Sequence, residues 1–325
     1  MKELALPADS NLFGSEATLE SSEIVILPVP WEPTTSYGHG TSNAPKAIRL
    51  ASHQLDFFEP QMHCNLNHQI FMLPPYKMWE DLSQKTSRKV KQYRQTENPA
   101  LLKEINAHSI QLNQWVQEEV EILLNKKKKI GILGGDHSCP FGAIKAISTQ
   151  FPSFGLLHVD AHHDLRDAYE GFSFSHASIM HQVITSIPQV TNLVSVGIRD
   201  FSEEEFITAR DHQRIETLYD YQLKSKLFCG KSWQSICEDL INKLPSNIYI
   251  SIDIDGLDAP YCPNTGTPVP GGLSFDMLIF LLETIRQSKS QIIGFDLCEV
   301  SPDPNNHLDE NIGARVLHKL CSISM

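Results

Sequence analysis

The chain has no C-x-x-C pair: its seven cysteines, Cys64, Cys139, Cys229, Cys237, Cys262, Cys298 and Cys321, are scattered and odd in number. That spacing argues against a disulfide framework and for a reduced, cytoplasmic compartment. Nor is there a run of about 18 consecutive apolar residues, the length a helix needs to cross a bilayer. The opening MKELALPADS holds no apolar stretch of signal-peptide length, so neither a membrane span nor export by a leader is expected. Basic residues are in short supply. With 27 Lys and Arg against 39 Asp and Glu, the net charge is −12, which argues against nucleic acid or an anionic membrane as a partner. The one basic run, Lys126 to Lys129, precedes an apolar segment and reads as a solvated helix end. No internal repeat, low-complexity tract or linker divides the chain.

What is present is a regular alternation. Short β-branched apolar runs recur at 24–29, 130–133, 154–159, 193–198, 248–254 and 292–297. Each is apolar on both faces, as a buried parallel strand is. Helical stretches lie between and after them, at 99–124 with Asn98 as N-cap, 203–213, 233–244, 275–287 and 307–323. The pattern predicts one α/β domain, residues 1–325, on a doubly wound parallel sheet that binds ligands beyond the carboxyl ends of its strands. The polar stretch 61–96, with Pro74-Pro75, reads as an irregular excursion on the rim.

Three of the runs end in polar clusters: Gly134-Gly135-Asp136-His137-Ser138, His158-Val159-Asp160-Ala161-His162-His163-Asp164, and Ser251-Ile252-Asp253-Ile254-Asp255-Gly256-Leu257-Asp258. In an extended segment residues two apart share a side, so Asp160, His162 and Asp164 can point together, as can Asp253 and Asp255. Four carboxylates buried side by side repel one another unless cations neutralise them. With His137 the set is four Asp and two His, oxygen-rich and free of thiolate, which suits Mn²⁺ better than structural zinc. Six ligands are too many for one ion with an open position. Two ions about 3.5–4 Å apart would use them all and lower the pKa of a shared water, giving a metal-bound hydroxide.

At these residues the chain resembles the ureohydrolase family of arginases, agmatinases and formiminoglutamases. The family pattern G-G-D-H, D-A-H-x-D, S-x-D-x-D-x-x-D, G-T-P and G-G is met at Gly134 to His137, Asp160 to Asp164, Ser251 to Asp258, Gly266-Thr267-Pro268 and Gly271-Gly272. The resemblance implies a three-layer α/β/α fold, a homo-oligomer and two Mn²⁺ per chain that hydrolyse a guanidino or formimino C–N bond. By position it places His137 and Asp164 on one ion, His162 and Asp255 on the other, and Asp160 and Asp253 between them. Glu299 matches the family glutamate that grips the guanidinium, a role that suits a carboxylate with its two acceptor oxygens. His176 falls where a loop histidine shuttles protons to the leaving amine, and Asp258 would accept or orient a proton of the attacking hydroxide.

Some positions depart from the family pattern. Asn264 replaces a usual Gly, and Ala259-Pro260 shifts a proline by one. Arg166 stands where arginases carry an Asn that reads the α-amino acid end of arginine, and Ser202 stands where they carry a second Asp. L-Arginine is therefore a poor candidate substrate. Arg166 either meets an anionic substrate tail in a forked geometry, as in formiminoglutamases, or pairs with Asp167, Asp200 or Glu203. Against the former, Tyr37-Gly38-His39-Gly40-Thr41 and Tyr169-Glu170-Gly171-Phe172 are agmatinase-like, and Glu170, Glu203, Glu204 and Glu205 suit an amine cation. Hydrolysis of agmatine to putrescine and urea is the expected reaction. Formiminoglutamate hydrolysis, a non-catalytic module on the same fold and a one-zinc amide hydrolase are its rivals.

Overall fold

The computed structural model describes residues 11–59, 64–66, 68–288, 290–303 and 305–325. In chain order its strands are β1 (Ile24–Val29), β2 (Phe58–Glu59), β3 (Cys64–Asn65), β4 (Ile70–Met72), β5 (Lys129–Gly134), β6 (Phe154–Val159), β7 (Val190–Val196), β8 (Ile215–Leu218), β9 (Asn247–Asp253) and β10 (Gln291–Cys298). Its α-helices are α1 (Ala44–Ala51), α2 (Lys77–Thr96), α3 (Pro99–Asn125), α4 (Phe141–Ile147), α5 (Ile179–Ser186), α6 (Glu203–Asp211), α7 (Asp220–Phe228), α8 (Trp233–Ile241), α9 (Phe275–Gln287) and α10 (Leu308–Ile323). Eight strands form one parallel sheet in the order β4-β1-β5-β10-β9-β6-β7-β8, while β2 and β3 pair apart from it.

The three layers follow from the pleat. Along β1, Ile24 and Ile26 enter one hydrophobic cluster with Ile48 of α1, Leu281 of α9 and Leu317 of α10. Val25, Leu27 and Val29 enter another with Val116 of α3, Ile144 of α4 and Val183 of α5. Alternate side chains point to opposite faces, so a strand apolar at every position needs helices on both sides. Each such side chain contributes about 1.5–3 kcal/mol on full burial. The register between β10 and β9 shifts by one residue between Ile292 and Gly294.

The six expected strands are all present, displaced by a few residues at their ends, and β6 and β1 have the expected bounds. Asn98 caps α3, its side chain accepting a hydrogen bond from the Ala100 amide at 2.9 Å. His307, expected inside the last helix, instead precedes it with φ 55°. The short edge strands β4 and β8 and the helices α1, α4, α5 and α7 were not anticipated from periodicity.

The excursion at 61–96 is a correction. Residues 61–63 and 67 lie outside the described residues, but β4 joins the sheet edge and α2 is a regular 20-residue helix. Its buried positions are Trp79, Ser83, Thr86 and Val90, a helical stripe in which two of four members are hydroxyl residues. With so few apolar side chains, the 3.6-residue period is hidden in the sequence. The basic run is also more than a solvated helix end. Lys128 Nζ donates to the Glu20 carbonyl at 2.9 Å, and Lys129 Nζ donates to the carbonyls of Ser324 and Met325. No helix among the described residues is long and apolar enough to cross a membrane.

Candidate metal centre

Four neighbouring strands at the middle of the sheet, β5, β10, β9 and β6, deliver the polar clusters at their carboxyl ends. The convergence has a different local cause from the one expected. β6 ends at Val159, so Asp160, His162 and Asp164 lie beyond it, and Asp164 sits in the left-handed region at φ 54°. Likewise Asp253 ends β9, and Asp255 lies in the 3₁₀ turn that follows. The ligands meet because loops fold over the strand ends, not because one extended strand presents one side. Glu299 after β10 has φ 62°. Non-glycine residues held there cost about 1–3 kcal/mol each and collect at functional sites.

His137 Nδ1 lies 2.9 Å from Asp164 Oδ2, 3.0 Å from Asp160 Oδ2 and 3.5 Å from Asp253 Oδ2. His162 Nδ1 lies 3.1 Å from Asp255 Oδ2 and 3.5 Å from Asp160 Oδ1. Asp160 thus turns one oxygen to each group. Donor atoms this close together would suit a divalent cation that takes oxygen and nitrogen ligands. The other carboxylate oxygens are tied down by backbone amides. Asp253 Oδ1 accepts from Asp255 N at 2.9 Å, and Asp255 Oδ1 accepts from Ala161 N at 3.0 Å.

Whether these residues fit a cation is decided behind them. Ser251 Oγ donates to Asp296 Oδ1 at 3.1 Å and lies 3.0 Å from His137 Nε2. A hydroxyl with its one proton on Asp296 must accept from the ring, so Nε2 carries a hydrogen. Nδ1 faces three carboxylate oxygens; burial lowers the His137 imidazole, but Asp160, Asp164 and Asp253 outweigh it and hold it well above its ordinary value, so in the metal-free protein a proton sits where a cation would bind. On the other side of Asp160, His158 Nε2 approaches Oδ2 at 2.9 Å while its Nδ1 meets Ser195 Oγ at 3.2 Å.

The electrostatics agree. Burial, then the neighbouring Asp160, pushes Asp164 up to about 7. Burial, then Asp255 and Asp160, pushes Asp253 well above the carboxylate range. Burial likewise raises Asp160, but His158 and His137 outweigh it and hold that carboxyl well below its ordinary value. One site cannot keep all these groups ionised without positive charge.

A cavity of about 180 Å³ opens over the cluster, lined by His162, Asp164 and Asp253 on its floor and by Ser36, Arg166, Tyr169, His176 and Glu299 around it. Glu299 is buried; its Oε1 accepts from the His137 amide at 3.0 Å, and its Oε2 has no partner among the described residues. A Cβ on Gly266 would lie 3.0 Å from that free oxygen, so glycine keeps the approach to it clear. His176 stands against the Tyr169 ring at 5.5 Å, and its Nδ1 has no partner among the described residues. Burial, and then nearby His162 and Arg94, push its imidazole down to about 3, leaving a neutral base at neutral pH.

The remaining sequence candidates are placed differently. Arg166 reaches the cavity, but its Nε pairs with Glu205 Oε2 at 3.3 Å, not with Asp167, Asp200 or Glu203, and its guanidinium lies 5.1 Å above the Tyr169 ring. Ser202 lines the adjoining depression and caps α6 reciprocally with Glu205. Asp258 does not line the cavity; its Oδ1 accepts from the Gly271 amide at 3.1 Å. Asn264 bonds Asp309 through its backbone and side-chain nitrogens, which gives that departure a structural purpose. His158, Ser251, Asp296 and Arg199 also support the site, in roles that spacing alone does not assign. Arg199 Nη2 donates to the carbonyls of Asp255, Leu257 and Val269 and so holds the ligand-bearing loop. A carboxylate at position 296 inside an apolar strand was the available signal.

Comparison with known proteins gives the same picture. An N(1)-aminopropylagmatine ureohydrolase of Thermus thermophilus is 29% identical over 321 residues, covering 95% of this chain and 93% of that protein. An agmatinase of Halalkalibacterium halodurans is 30% identical over 300 residues, covering 90% and 89%. The crystal structure of agmatine ureohydrolase of Thermoplasma volcanium superposes with a TM-score of 0.73 at 24% identity, covering 95% of this chain and 92% of that one. The arginase family matches residues 22–322, and the chain belongs to that family of ureohydrolases.

Proposed function

We propose that the chain hydrolyses the guanidino C–N bond of an amine-tailed guanidine, agmatine first, to putrescine and urea. The observation that carries this reading is the free Oε2 of Glu299, a buried carboxylate oxygen facing the cavity beside the metal ligands. A planar guanidinium presents paired N–H donors that such an oxygen accepts, and in a water-poor site the pairing is strong. His137, Asp160 and Asp164 would hold one divalent ion and His162, Asp255 and Asp160 the other, with Asp253, 3.5 Å from His137 Nδ1, expected between them from the family resemblance, the oxygen-rich donors suiting manganese. When bound, such a pair supplies Lewis-acid activation of water.

The protein's own groups then divide the work. Glu299 fixes the guanidinium carbon over the ligand cluster. His176 is a neutral imidazole at the cavity wall that can carry a proton only in passing, and it would relay the proton released by the attacking water to the departing amine nitrogen as the C–N bond breaks. Asp258, bonded to Gly271, orients the loop beside Asp255 rather than touching substrate. Arg166 already has Glu205 and Tyr169, which leaves it little to offer a substrate carboxylate and favours an amine tail over a glutamate tail.

The test is turnover by Mn²⁺-loaded protein on agmatine, N1-aminopropylagmatine, L-arginine, guanidinobutyrate and formiminoglutamate, with urea and formamide assayed separately. Urea from agmatine or its aminopropyl derivative, with L-arginine poor, is expected. Formamide from formiminoglutamate would make Arg166 the substrate clamp, and no product from any compound would favour a non-catalytic role.

A further inference from the structure

Arg94 lies near the end of α2, the helix hidden within the polar stretch. Its Nε donates to Glu170 Oε2 at 2.8 Å, and its Nη2 donates to the carbonyls of Thr34 at 3.4 Å and Thr35 at 3.1 Å. Those partners belong to two different walls of the cavity. Thr34 and Thr35 precede Ser36, and Glu170 follows Tyr169; both Ser36 and Tyr169 line the cavity. We infer that Arg94 is a positioning residue, a staple by which α2 holds the two walls of the substrate pocket at a fixed separation, an inference that rests on the guanidino-hydrolase reading above.

The backbone around Glu170 supports it. Tyr169 and Phe172 bridge as a two-residue hairpin, with Phe172 N donating to Tyr169 O at 2.8 Å, and both central residues are left-handed, Glu170 at φ 53° and Gly171 at φ 84°. Such a turn favours Asn or Gly at its first centre, not a long side chain. What glutamate adds there is a carboxylate long enough to reach Arg94. The α2–α3 pair grips the same hairpin elsewhere: Asn106 Nδ2 donates to Gly171 O at 3.0 Å, and the Tyr93 ring meets Phe172 edge-on at 5.5 Å. From the hairpin the chain of contact runs through Tyr169 to His176 and Arg166. A planar guanidinium with five donors can serve one carboxylate and two carbonyls at once, which an ammonium on a flexible stem does poorly.

The experiment compares Arg94→Ala, Arg94→Lys and Glu170→Gln with Lys89→Ala, which removes the Lys89–Glu104 ion pair between the same two helices but away from the cavity. In Arg94→Ala, kcat/KM on agmatine should fall about tenfold, mostly through KM, because misplaced walls cost substrate positioning. Arg94→Lys should recover only part, Glu170→Gln added to Arg94→Ala should lower it no further, and Lys89→Ala should leave it unchanged. Unchanged kcat/KM in Arg94→Ala, fully additive losses, or an equal loss in Lys89→Ala would each overturn the staple. Amide hydrogen exchange decides it without any substrate. Residues 34–36 and 169–173 should both exchange faster in Arg94→Ala and in neither case in Lys89→Ala; acceleration at only one segment, or none, counts against it. A wild-type protein inactive on every guanidino compound would sink the proposed function, while the exchange data would still judge the staple.

Discussion

Asp160 and Glu299 differ in what their oxygens face, and under the proposed function that difference would separate metal holding from substrate holding. Asp160 turns one oxygen toward His137 and the other toward His162, so Asp160→Ala removes a donor from both groups at once. Glu299 keeps one oxygen on a backbone amide and one free, so Glu299→Gln leaves the ligand set intact while losing the anion. Metal analysis of the purified variants should show Asp160→Ala depleted of ions and inactive. Glu299→Gln should bind two ions per chain with kcat/KM lowered roughly 10- to 100-fold, the worth of a charged hydrogen bond of about 1.5–3 kcal/mol. A fully loaded, active Asp160→Ala would refute the shared position of Asp160. Asp160 and its neighbours stand out in the sequence because several chemistry-bearing types recur at fixed short spacings beside apolar runs, whereas Glu299 stands out only through the family resemblance. The supporting roles of His158, Ser251 and Asp296 do not: the first two sit in the polar clusters without marking themselves as partners of a ligand, and Asp296 is a lone carboxylate within a buried strand. Only the sheet register, which pairs Ser251 with Asp296, reveals a relay behind His137.

Elements position these side chains from a distance. α6 begins with a reciprocal cap: Ser202 Oγ accepts from the Glu205 amide at 3.3 Å, while Glu205 Oε2 accepts from the Ser202 amide at 3.0 Å. The same Glu205 accepts from the Leu165 amide and pairs with Arg166, so the cap is joined to the loop that follows Asp164. Ser202→Ala should therefore cost about 1 kcal/mol of stability, the usual worth of an N-cap side chain, with kcat/KM within twofold of wild type. Chemical denaturation and steady-state kinetics on one preparation settle it; a selective rise in KM would mean that the Ser202 hydroxyl touches substrate. Strong elements such as β1, β6, α3 and α9 were legible because burial on both faces, or a capped apolar stripe, leaves a period in the sequence. The elements missed are short, as α4 and α7 are, or at the sheet edge, as β4 and β8 are, or polar, as α2 is. They are specified by the neighbours they cover more than by their own pattern.

At the scale of the whole molecule, the centre of the sheet carries a charge problem that pH and metal solve in competition. In the metal-free protein burial pushes Asp164 up to about 7, with Asp160 adding to it, and burial also holds Asp296 at about 6. An unfolded carboxyl titrates near 4, roughly, so below that pH both states are protonated and these groups cost nothing. As pH rises through about 4 to 7, the unfolded chain releases protons that the folded metal-free protein retains. Folding stability then falls, by about 1.4 kcal/mol per pH unit for each such group. Buried histidines oppose this trend, His163 and His176 being pushed down to about 3 mainly by burial. They act in the metal-loaded protein too, however, and drop out of a difference. Cations held as proposed would need the deprotonated oxygens and, binding only the folded chain, would stabilise it by about 2.7 kcal/mol at a hundredfold excess over Kd. The gap in Tm between Mn²⁺-loaded and chelator-treated protein should therefore widen from about pH 5 to about pH 7.5, by roughly 5 °C or more. A gap that stays constant over that interval would mean that the carboxylates at the strand ends do not gather the ions, and that the charge is balanced by protons alone.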